Sequence, residues 1–500
     1  MKRMFSLLPM LALLGSLVTL AWTSPGTNDT KESIKGLFEE INAQGMPLPP
    51  STFKTGHVNR YEYNDYLKPY GKGFVIKLPS NTNVPTPGIQ GDRLFTGGGF
   101  GSKEFFCFNA KTGEKNWSVT LDDDGPSSAV IEEDVLVFNT ESCTIFALDA
   151  KTGQYLWSHW LGDPLMSMPA VANGKVFTAY PAAFGKNYNG KKVFGSGSFT
   201  LKPTHAFAAF DLKTGKILWQ KWIDGDVMSA PVAIGDEVYF STFPGTLFRM
   251  DQKTGDFLTV SALRCTSAPV VEGDKVFVTC RSDEGNACSE SVATLDKNTF
   301  KTTAKFLTKQ ATYLDKTVQS GSKLKEESMI LDSGNGFSGG APGNSGWEAA
   351  YDNIGQSNVS SLQAFQGSRI LMIGGKTYNT MGDELICSDP GNGKKLWTTL
   401  VEGDMHRTGG HLATPPIKAG NYLIVATYSG EVIVYNPENG RVAEKFRTAG
   451  DPIRYAPIAH EGWIYVTTTT GKLYGFKSDN PNITGWPMWG ANPGHTNTVN

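Results

Sequence analysis

Asp149-Ala-Lys-Thr-Gly153-Gln-Tyr-Leu-Trp157 is the stretch that decides the fold, because versions of it return along most of the chain. Each version starts a turn with a polar residue, and in the strongest copies a Trp follows the turn glycine by four residues. The eight copies begin at Asn109, Asp149, Asp211, Asp251, Asp296, Asp389, Asn436 and Lys477. Gly113 and Gly153 are 40 residues apart, which is the length of one β-propeller blade.

The sequence around each copy has the same order of signals for four short strands. A small residue and a proline, as in Ala230-Pro231, lead into an apolar strand, and a turn such as Gly235-Asp236 separates it from a second. A third strand precedes the repeated turn, and a fourth carries the Trp. Four strands with three hairpin turns per repeat are typical of a propeller blade. The sequence therefore predicts an all-β, eight-bladed propeller of four-stranded antiparallel blades.

The repeated turn has a local physical basis. An Asp or Asn side chain accepts hydrogen bonds from nearby backbone N–H groups, and Gly adopts the positive φ that such a turn requires. A Trp on the outer strand buries a large apolar area against the next blade. We therefore predict that the Asp and Trp residues of the repeats are structural.

One strand outside the repeats is predicted to close the ring. The last copy, at Lys477, has no Trp strand after it, whereas Gly71–Leu78 reads as a strand with no repeat of its own. An N-terminal strand that completes the eighth blade removes the open edges of an unclosed sheet, at which aggregation starts.

The N-terminus has the pattern of an export signal. Lys2 and Arg3 precede an uncharged apolar run from Phe5 to Trp22. The run approaches the ~20 residues of a membrane span, so an uncleaved anchor is the alternative to cleavage. The domain prediction is a signal peptide at 1–24, a polar leader at 25–68 with a short helix at Ile34–Ile41, the propeller at 69–484 with insertions at 180–204 and 307–360, and a tail at 485–500 packed on the ring.

Composition excludes some classes of protein. The chain has 46 Lys and Arg against 48 Asp and Glu, with a formal net charge of −2. Nucleic-acid binders normally carry a basic excess, so we expect no such partner. The chain has no Cys-x-x-Cys motif, which removes a zinc ribbon and a c-type haem. Cys280 and Cys288 flank a loop-like stretch between two strand-like runs, and we predict a disulfide there.

The repeats resemble those of the PQQ-like β-propeller superfamily, over roughly residues 70–480. That superfamily includes quinoprotein alcohol dehydrogenases and the BamB-like subunits of outer-membrane barrel assembly. The dehydrogenases carry adjacent cysteines over the quinone, and this chain has no Cys-Cys pair. Leu263 and Arg264 precede Ser-Ala-Pro as in the BamB stretch that meets its barrel partner, although Ser261 replaces an expected leucine. The resemblance implies that Leu263 and Arg264 bind a protein partner.

We expect an exported, non-catalytic scaffold, in the periplasm or at the cell surface, that binds a protein or glycan partner. Trp347 and Tyr351 in the second insertion are candidates to dock a protein or a sugar, and His406 and His411 are candidates to bind a ligand in the central channel. No catalytic or metal-binding residue is predicted. Two alternatives stay open: a periplasmic PQQ-dependent dehydrogenase with quinone and calcium, and a carbohydrate-binding propeller.

Overall fold

The computed structural model describes residues 27–45, 57–64, 66–140, 144–161, 168–182, 191–193, 199–201, 203–228, 230–284, 287–310, 370–381, 383–403 and 412–485. The predicted signal peptide and the tail beyond Gly485 lie outside these ranges, as does most of the predicted insertion at 307–360.

The described chain begins with α1 (Thr27–Ala43), β1 (Val58–Arg60), β2 (Leu67–Tyr70) and β3 (Gly73–Lys77). Blade 1 contains β4 (Gly88–Gln90), β5 (Arg93–Gly97), β6 (Glu104–Asn109) and β7 (Lys115–Leu121). Blade 2 contains β8 (Val130–Glu132), β9 (Val135–Asn139), β10 (Thr144–Asp149) and β11 (Tyr155–Trp160). Blade 3 contains β12 (Ala170–Ala172), β13 (Lys175–Pro181), β16 (His205–Asp211) and β17 (Ile217–Ile223), with a small hairpin of β14 (Lys191–Val193) and β15 (Phe199–Leu201) inserted between β13 and β16.

Blade 4 contains β18 (Val232–Ile234), β19 (Glu237–Ser241), β20 (Thr246–Asp251) and β21 (Phe257–Ala262). Blade 5 contains β22 (Val270–Glu272), β23 (Lys275–Glu284), β24 (Ala287–Asp296) and β25 (Thr302–Gln310). Blade 6 contains β26 (Ile370–Ile373), β27 (Lys376–Met381), β28 (Glu384–Ser388) and β29 (Lys395–Leu400). Blade 7 contains β30 (Ile417–Ala419), β31 (Tyr422–Ala426), β32 (Glu431–Tyr435) and β33 (Val442–Arg447), and blade 8 contains β34 (Ile458–His460), β35 (Trp463–Thr467) and β36 (Lys472–Lys477).

The sheets confirm the predicted eight-bladed propeller of antiparallel blades. Strands of one repeat pair in sequence order, as in β18-β19-β20-β21. First strands of neighbouring blades contact each other, β8 with β12 and β12 with β18, so they lie innermost around the central axis. The fourth strand of each repeat is consequently on the outside of the ring.

The repeated turn forms as its chemistry predicts. Asp149 Oδ1 accepts the backbone N–H groups of Lys151, at 3.0 Å, and Thr152, at 2.8 Å. Gly153 takes the required positive φ, 73°. In each copy that has a Trp, the indole ring packs against the neighbouring blade.

The Trp of one blade covers the turn glycine of the next. Trp219 Nε1 donates to the Gln252 carbonyl at 2.9 Å, and a Cβ added at Gly255 would stand 2.7 Å from the Trp219 ring. The same contact joins other blades: Trp117 covers Gly153, Trp157 covers Gly215 and Trp397 covers Gly440. These contacts confirm the structural role predicted for the Trp residues.

The N-terminal segment closes the ring, as predicted. β3 pairs with β36, with Phe74 opposite Gly475, so blade 8 is built from both ends of the repeat region. Lys72 and Asp479 form an ion pair beside this junction. The structure adds two strands that were not predicted, β2 outside β3 in blade 8 and β1 outside β7 in blade 1.

The helix α1 is longer than the predicted Ile34–Ile41 segment and packs on the outer strands of blades 3 and 4. Ile34, Phe38 and Ile41 are buried. The Phe38 ring centroid lies 4.9 Å from that of Phe248. No helix within the described ranges is long and apolar enough to cross a membrane.

The end of α1 also provides hydrogen-bond partners for the backbone groups at the edge of blade 3. Asn42 Oδ1 accepts the backbone N–H of Trp222 at 2.8 Å, and Asn42 Nδ2 donates to the carbonyl of the same residue at 3.3 Å. Trp222 Nε1 donates to the carbonyl of Gly45 at 2.9 Å. A single side chain therefore acts as a one-residue extension of the sheet, which leaves that part of the edge paired.

Phe38→Ala is expected to detach α1 while the ring stays folded. Replacing a fully buried Phe by Ala costs about 3–5 kcal/mol, and an isolated helix of this length is marginal in water. Hydrogen exchange should show lost protection across Thr27–Ala43 with little change in the blades. Glu39→Ala, on the exposed side of the same helix, is the control and should leave the protection intact. Equal protection in both variants would contradict the packing.

Candidate functional site: the loop between blades 4 and 5

The strand connections lie on two faces of the ring. On one face the Gln252 N–H of a repeated turn donates to the Asp236 carbonyl of the first hairpin turn, at 2.8 Å. On the other face the Phe243 N–H, between the second and third strands, donates to the Asp226 carbonyl in the loop from blade 3 to blade 4, at 3.0 Å. We call this second face, which carries the connections between blades, the loop face.

Carboxylates on the loop face tie the connection from one blade to the turn of the next. Asp224 Oδ1 accepts from the Thr242 hydroxyl at 2.8 Å, and Oδ2 accepts from the Thr246 hydroxyl at 2.5 Å. The same arrangement joins other blades: Asp123 accepts from Thr140 and Asp451 accepts from Thr470, both at 2.6 Å.

These ties were not predicted from the sequence. The Asp122–Asp124 run resembles a solvated acidic loop in sequence, yet Asp123 holds two blades together. The signal that could have revealed them is an Asp placed 17 to 19 residues before a Thr, just after an outer strand.

The pKa values of two of these carboxylates are shifted in opposite directions. Burial raises the pKa of Asp224 to about 6, against the lowering effect of the hydroxyls of Thr246 and Thr242. Burial also acts to raise the pKa of Asp451, but hydrogen bonds from Thr470, Tyr474 and Lys472 lower it below its usual range. Asp451 also has a charged partner, the Lys472 ammonium 2.9 Å from Oδ2, whereas the Thr242 and Thr246 donors to Asp224 are hydroxyls.

Between about pH 4 and pH 6 the free energy of unfolding of the wild type is expected to fall as the pH rises. Asp224→Asn is expected to abolish this fall. An unfolded Asp titrates near pH ~3.9, whereas folded Asp224 titrates at about 6, so its contribution is fully present below the unfolded pKa and is lost as the pH rises. A shift of about two units corresponds to about 3 kcal/mol. Urea unfolding across this pH range measures it. Asp451→Asn is the opposite-sign control, because a lowered carboxyl pKa stabilises the fold above the unfolded pKa. Parallel pH profiles for wild type and Asp224→Asn would contradict the assignment.

The predicted partner-binding residues Leu263 and Arg264 lie together on the loop face, directly after β21. Arg264 has φ 53°, a left-handed conformation that is uncommon for a residue other than glycine. Both side chains are half-buried, and Leu263 packs against a buried cluster of blades 4 and 5 that contains Cys265 and Cys280. The loop is therefore anchored by Leu263 and still reaches solvent.

Backbone hydrogen bonds hold the C-terminal side of this loop. The Cys265 N–H donates to the Gly245 carbonyl at 3.0 Å, and the Thr266 N–H donates to the Thr279 carbonyl at 2.8 Å. A residue keeps a strained φ when its surroundings over-determine it, and such residues concentrate at binding and active sites. The backbone at Arg264 is thus held in its left-handed conformation on the loop face.

Four other predicted binding residues lie outside the described residues: Trp347, Tyr351, His406 and His411. Within the described ranges, no three His, Cys, Asp or Glu side chains form a group that could hold a metal ion.

The predicted Cys280–Cys288 disulfide is not formed in the structure. The two residues do lie on one hairpin, but Cys280 pairs with Ser291 and Cys288 pairs with Asp283. An offset of three residues along a strand is about 10 Å, more than the Cα separation of a disulfide. Cys280 carries an unoxidised, buried thiol.

Comparisons with known proteins agree with this architecture. A family model described as outer membrane protein assembly factor BamB matches residues 75–299 and 382–484. BamB of Yersinia pestis is 21% identical over 194 residues, which are 36% of this chain and 44% of that protein. The match thus spans less than half of that relative.

Polyvinylalcohol dehydrogenase of Sphingopyxis sp. is 29% identical over 168 residues, 30% of this chain and 23% of that protein. The crystal structure of BamB from Moraxella catarrhalis superposes with a TM-score of 0.51 at 14% identity, and the match covers 83% of this chain and 98% of that one. This similarity shows the fold alone. The family model matches more than half of the residues of this chain. The chain therefore belongs to the family of outer membrane protein assembly factor BamB, with the PQQ-like propeller repeats that the sequence predicts.

Proposed function

We propose that the protein is an exported, non-catalytic scaffold that binds a protein partner during the assembly of outer-membrane proteins. The observation that carries the proposal is the Leu263–Arg264 loop, a half-exposed Leu-Arg pair held in a strained conformation on the loop face. The names of the relatives support the class of process, and the apolar leader before residue 24 supports export.

The chemistry of this loop suits protein recognition. Arg is enriched among the few residues that carry most of the binding energy of an interface. A loop whose backbone is already fixed loses little conformational entropy on binding, so more of the contact energy contributes to affinity. The backbone bonds of Cys265 and Thr266 supply this rigidity.

In-cell photo-crosslinking tests the proposal. A photo-reactive amino acid at position 263, in the full chain with its own leader, is expected to give an adduct with an envelope protein. The same probe at Leu156, which is 41% exposed on the outer strand β11, is the control and should not give that adduct. The proposal fails if the adduct is absent at 263, or if Arg264→Glu leaves its yield unchanged.

Arg264→Gly is expected to separate binding from stability. Glycine adopts φ 53° without the steric cost of a side chain, about 1–2 kcal/mol for an L-residue, although it gains freedom in the unfolded chain. The free energy of unfolding should therefore stay level or rise by up to about 1 kcal/mol, while adduct yield or affinity falls tenfold or more. Thermal unfolding and crosslinking measure the two. A destabilised variant that still binds would make Arg264 a structural residue.

The proposal includes no bound quinone. Its support is that the buried carboxylates Asp224 and Asp451 are engaged by this chain's own hydroxyl and ammonium groups, which join blades. Titration of the mature protein with PQQ and calcium, followed by tryptophan fluorescence, is expected to show no saturable change. Saturable, calcium-dependent quenching together with dye reduction would instead support the dehydrogenase alternative.

A further inference from the structure

Two cysteines face each other where the Leu263–Arg264 loop enters blade 5. Cys265 forms an isolated antiparallel bridge with Cys280, a residue of β23. The Thr266 N–H donates to the Thr279 carbonyl on the adjacent rung. This bond makes the Cys265–Cys280 pair a non-hydrogen-bonded one, in which the Cα atoms are about 4.5 Å apart and the side chains are closest.

The two sulfur atoms also lie on the same side of the sheet. Both side chains belong to one buried cluster, and they are 0% and 2% exposed. Burial, a hydrogen bond with the Cys280 thiol and its electrostatic effect raise the pKa of Cys265 well above its usual value. A disulfide requires a Cα separation of about 4.4–6.8 Å, so this pair has the backbone spacing of a disulfide.

We propose that Cys265 and Cys280 are a redox modification site: a disulfide between them links the base of the Arg264 loop to blade 5. The inference concerns the chemistry of this pair and does not depend on the identity of any partner.

The bond forms by exchange with a disulfide-containing oxidant, such as oxidised glutathione. One cysteine thiolate attacks a sulfur of the oxidant, forms a mixed disulfide and releases one thiolate. The second cysteine then attacks the mixed disulfide at the protein sulfur, forms the Cys265–Cys280 bond and releases the second thiolate. The two protons that the cysteine thiols lose end on the two released thiolates, and two electrons pass to the oxidant, which is thereby reduced to two thiols.

The surroundings of the pair determine when this reaction occurs. The attacking species is the thiolate, and a buried thiol with a raised pKa provides little of it. Oxidation of the folded protein is therefore slow and requires opening of the Arg264 loop, whereas oxidation during refolding is fast. The same enclosure keeps a reductant away once the bond exists.

Peptide mapping tests the proposal directly. The full mature chain is refolded in a mixture of reduced and oxidised glutathione, alkylated and digested with trypsin without reduction. Cleavage after Arg264, Lys275 and Arg281 places the two cysteines in separate peptides, 265–275 and 276–281. We expect the two peptides to appear joined, and to separate on reduction. Recovery of both as alkylated peptides, or of Cys280 joined to Cys288, overturns the proposal.

A second readout is local to the loop. Native trypsin cleavage after Arg264 is expected to be several-fold slower in the oxidised protein than in the reduced one, and Cys280→Ser should abolish this difference. Cys107→Ser, a buried cysteine of blade 1, is the matched control and should retain it. Equal cleavage rates in a protein that mapping shows to be joined would overturn the link between the bond and the loop. Neither readout uses a partner, so a failure here is distinct from a failure of the proposed function.

Discussion

Trp219→Ala is expected to lower the free energy of unfolding by about 3–5 kcal/mol, the usual cost of truncating a buried aromatic side chain. Trp219 is 6% exposed and covers Gly255 at the boundary between blades 3 and 4. Its removal leaves a cavity there, and the Gln252 carbonyl loses its donor. Urea unfolding followed by circular dichroism measures the change.

Two companion variants test whether the buried indole ring and its N–H account for that loss of unfolding free energy. Leu218→Ala changes the neighbouring residue of the same strand, which is 44% exposed, and should cost no more than about 0.5 kcal/mol. Trp219→Phe keeps an aromatic ring but lacks the N–H donor, so its cost should fall between the two. If Leu218→Ala and Trp219→Ala were equally destabilising, contact between blades would not depend on the Trp.

Removal of the closing strand is the second large effect. A chain that begins at Pro79 lacks β3, which pairs with β36, and is expected to aggregate instead of folding as a monomer. The loss exposes the backbone edge of β36 and removes the fully buried Ile76 and Leu78. Size-exclusion chromatography with light scattering measures the oligomeric state.

The control for this truncation is a chain that begins at His57. It lacks α1 but keeps β1, β2 and β3, so the ring can still close, and it should elute as a monomer. A monomeric chain starting at Pro79 with an unchanged melting temperature would show that closure does not stabilise the ring.

The blades could be predicted from the sequence because their determinants are local. An Asp, a Gly and a Trp at fixed spacing specify one turn and the outer strand after it, as at Asp149, Gly153 and Trp157. The closing strand was predictable for a related reason: Gly71–Leu78 had strand character and no repeat of its own. Neither inference needed knowledge of distant contacts.

Features that depend on distant contacts were missed. The apolar spacing of Ile34 and Phe38 predicts a helix, but nothing in it indicates that the helix packs on blades 3 and 4. The carboxylate ties pair residues on separate blades, as with Asp224 and Thr242. Such pairs become visible once the blades are placed side by side.

The candidate site shows the same limit. Leu263 and Arg264 were predicted to bind a partner through resemblance, whereas the left-handed backbone of Arg264 is a property of the folded loop. For Cys280 the hairpin was correct but its register was not, since a spacing in sequence does not specify which residues stand opposite each other. The loop from blade 4, and not the hairpin, supplies the cysteine that faces it.

The closure of blade 8 also sets the order in which the chain completes its fold. Lys72 and Asp479, which meet at the junction, are 407 positions apart, so β3 can pair with β36 only after nearly the whole polypeptide has been made. Contacts of such separation form slowly, because the intervening chain must close a very long loop first. A polypeptide interrupted anywhere before β36 has β3 paired with β2 on one edge and unpaired on the other, so complete synthesis and closure of the ring depend on one and the same strand pairing.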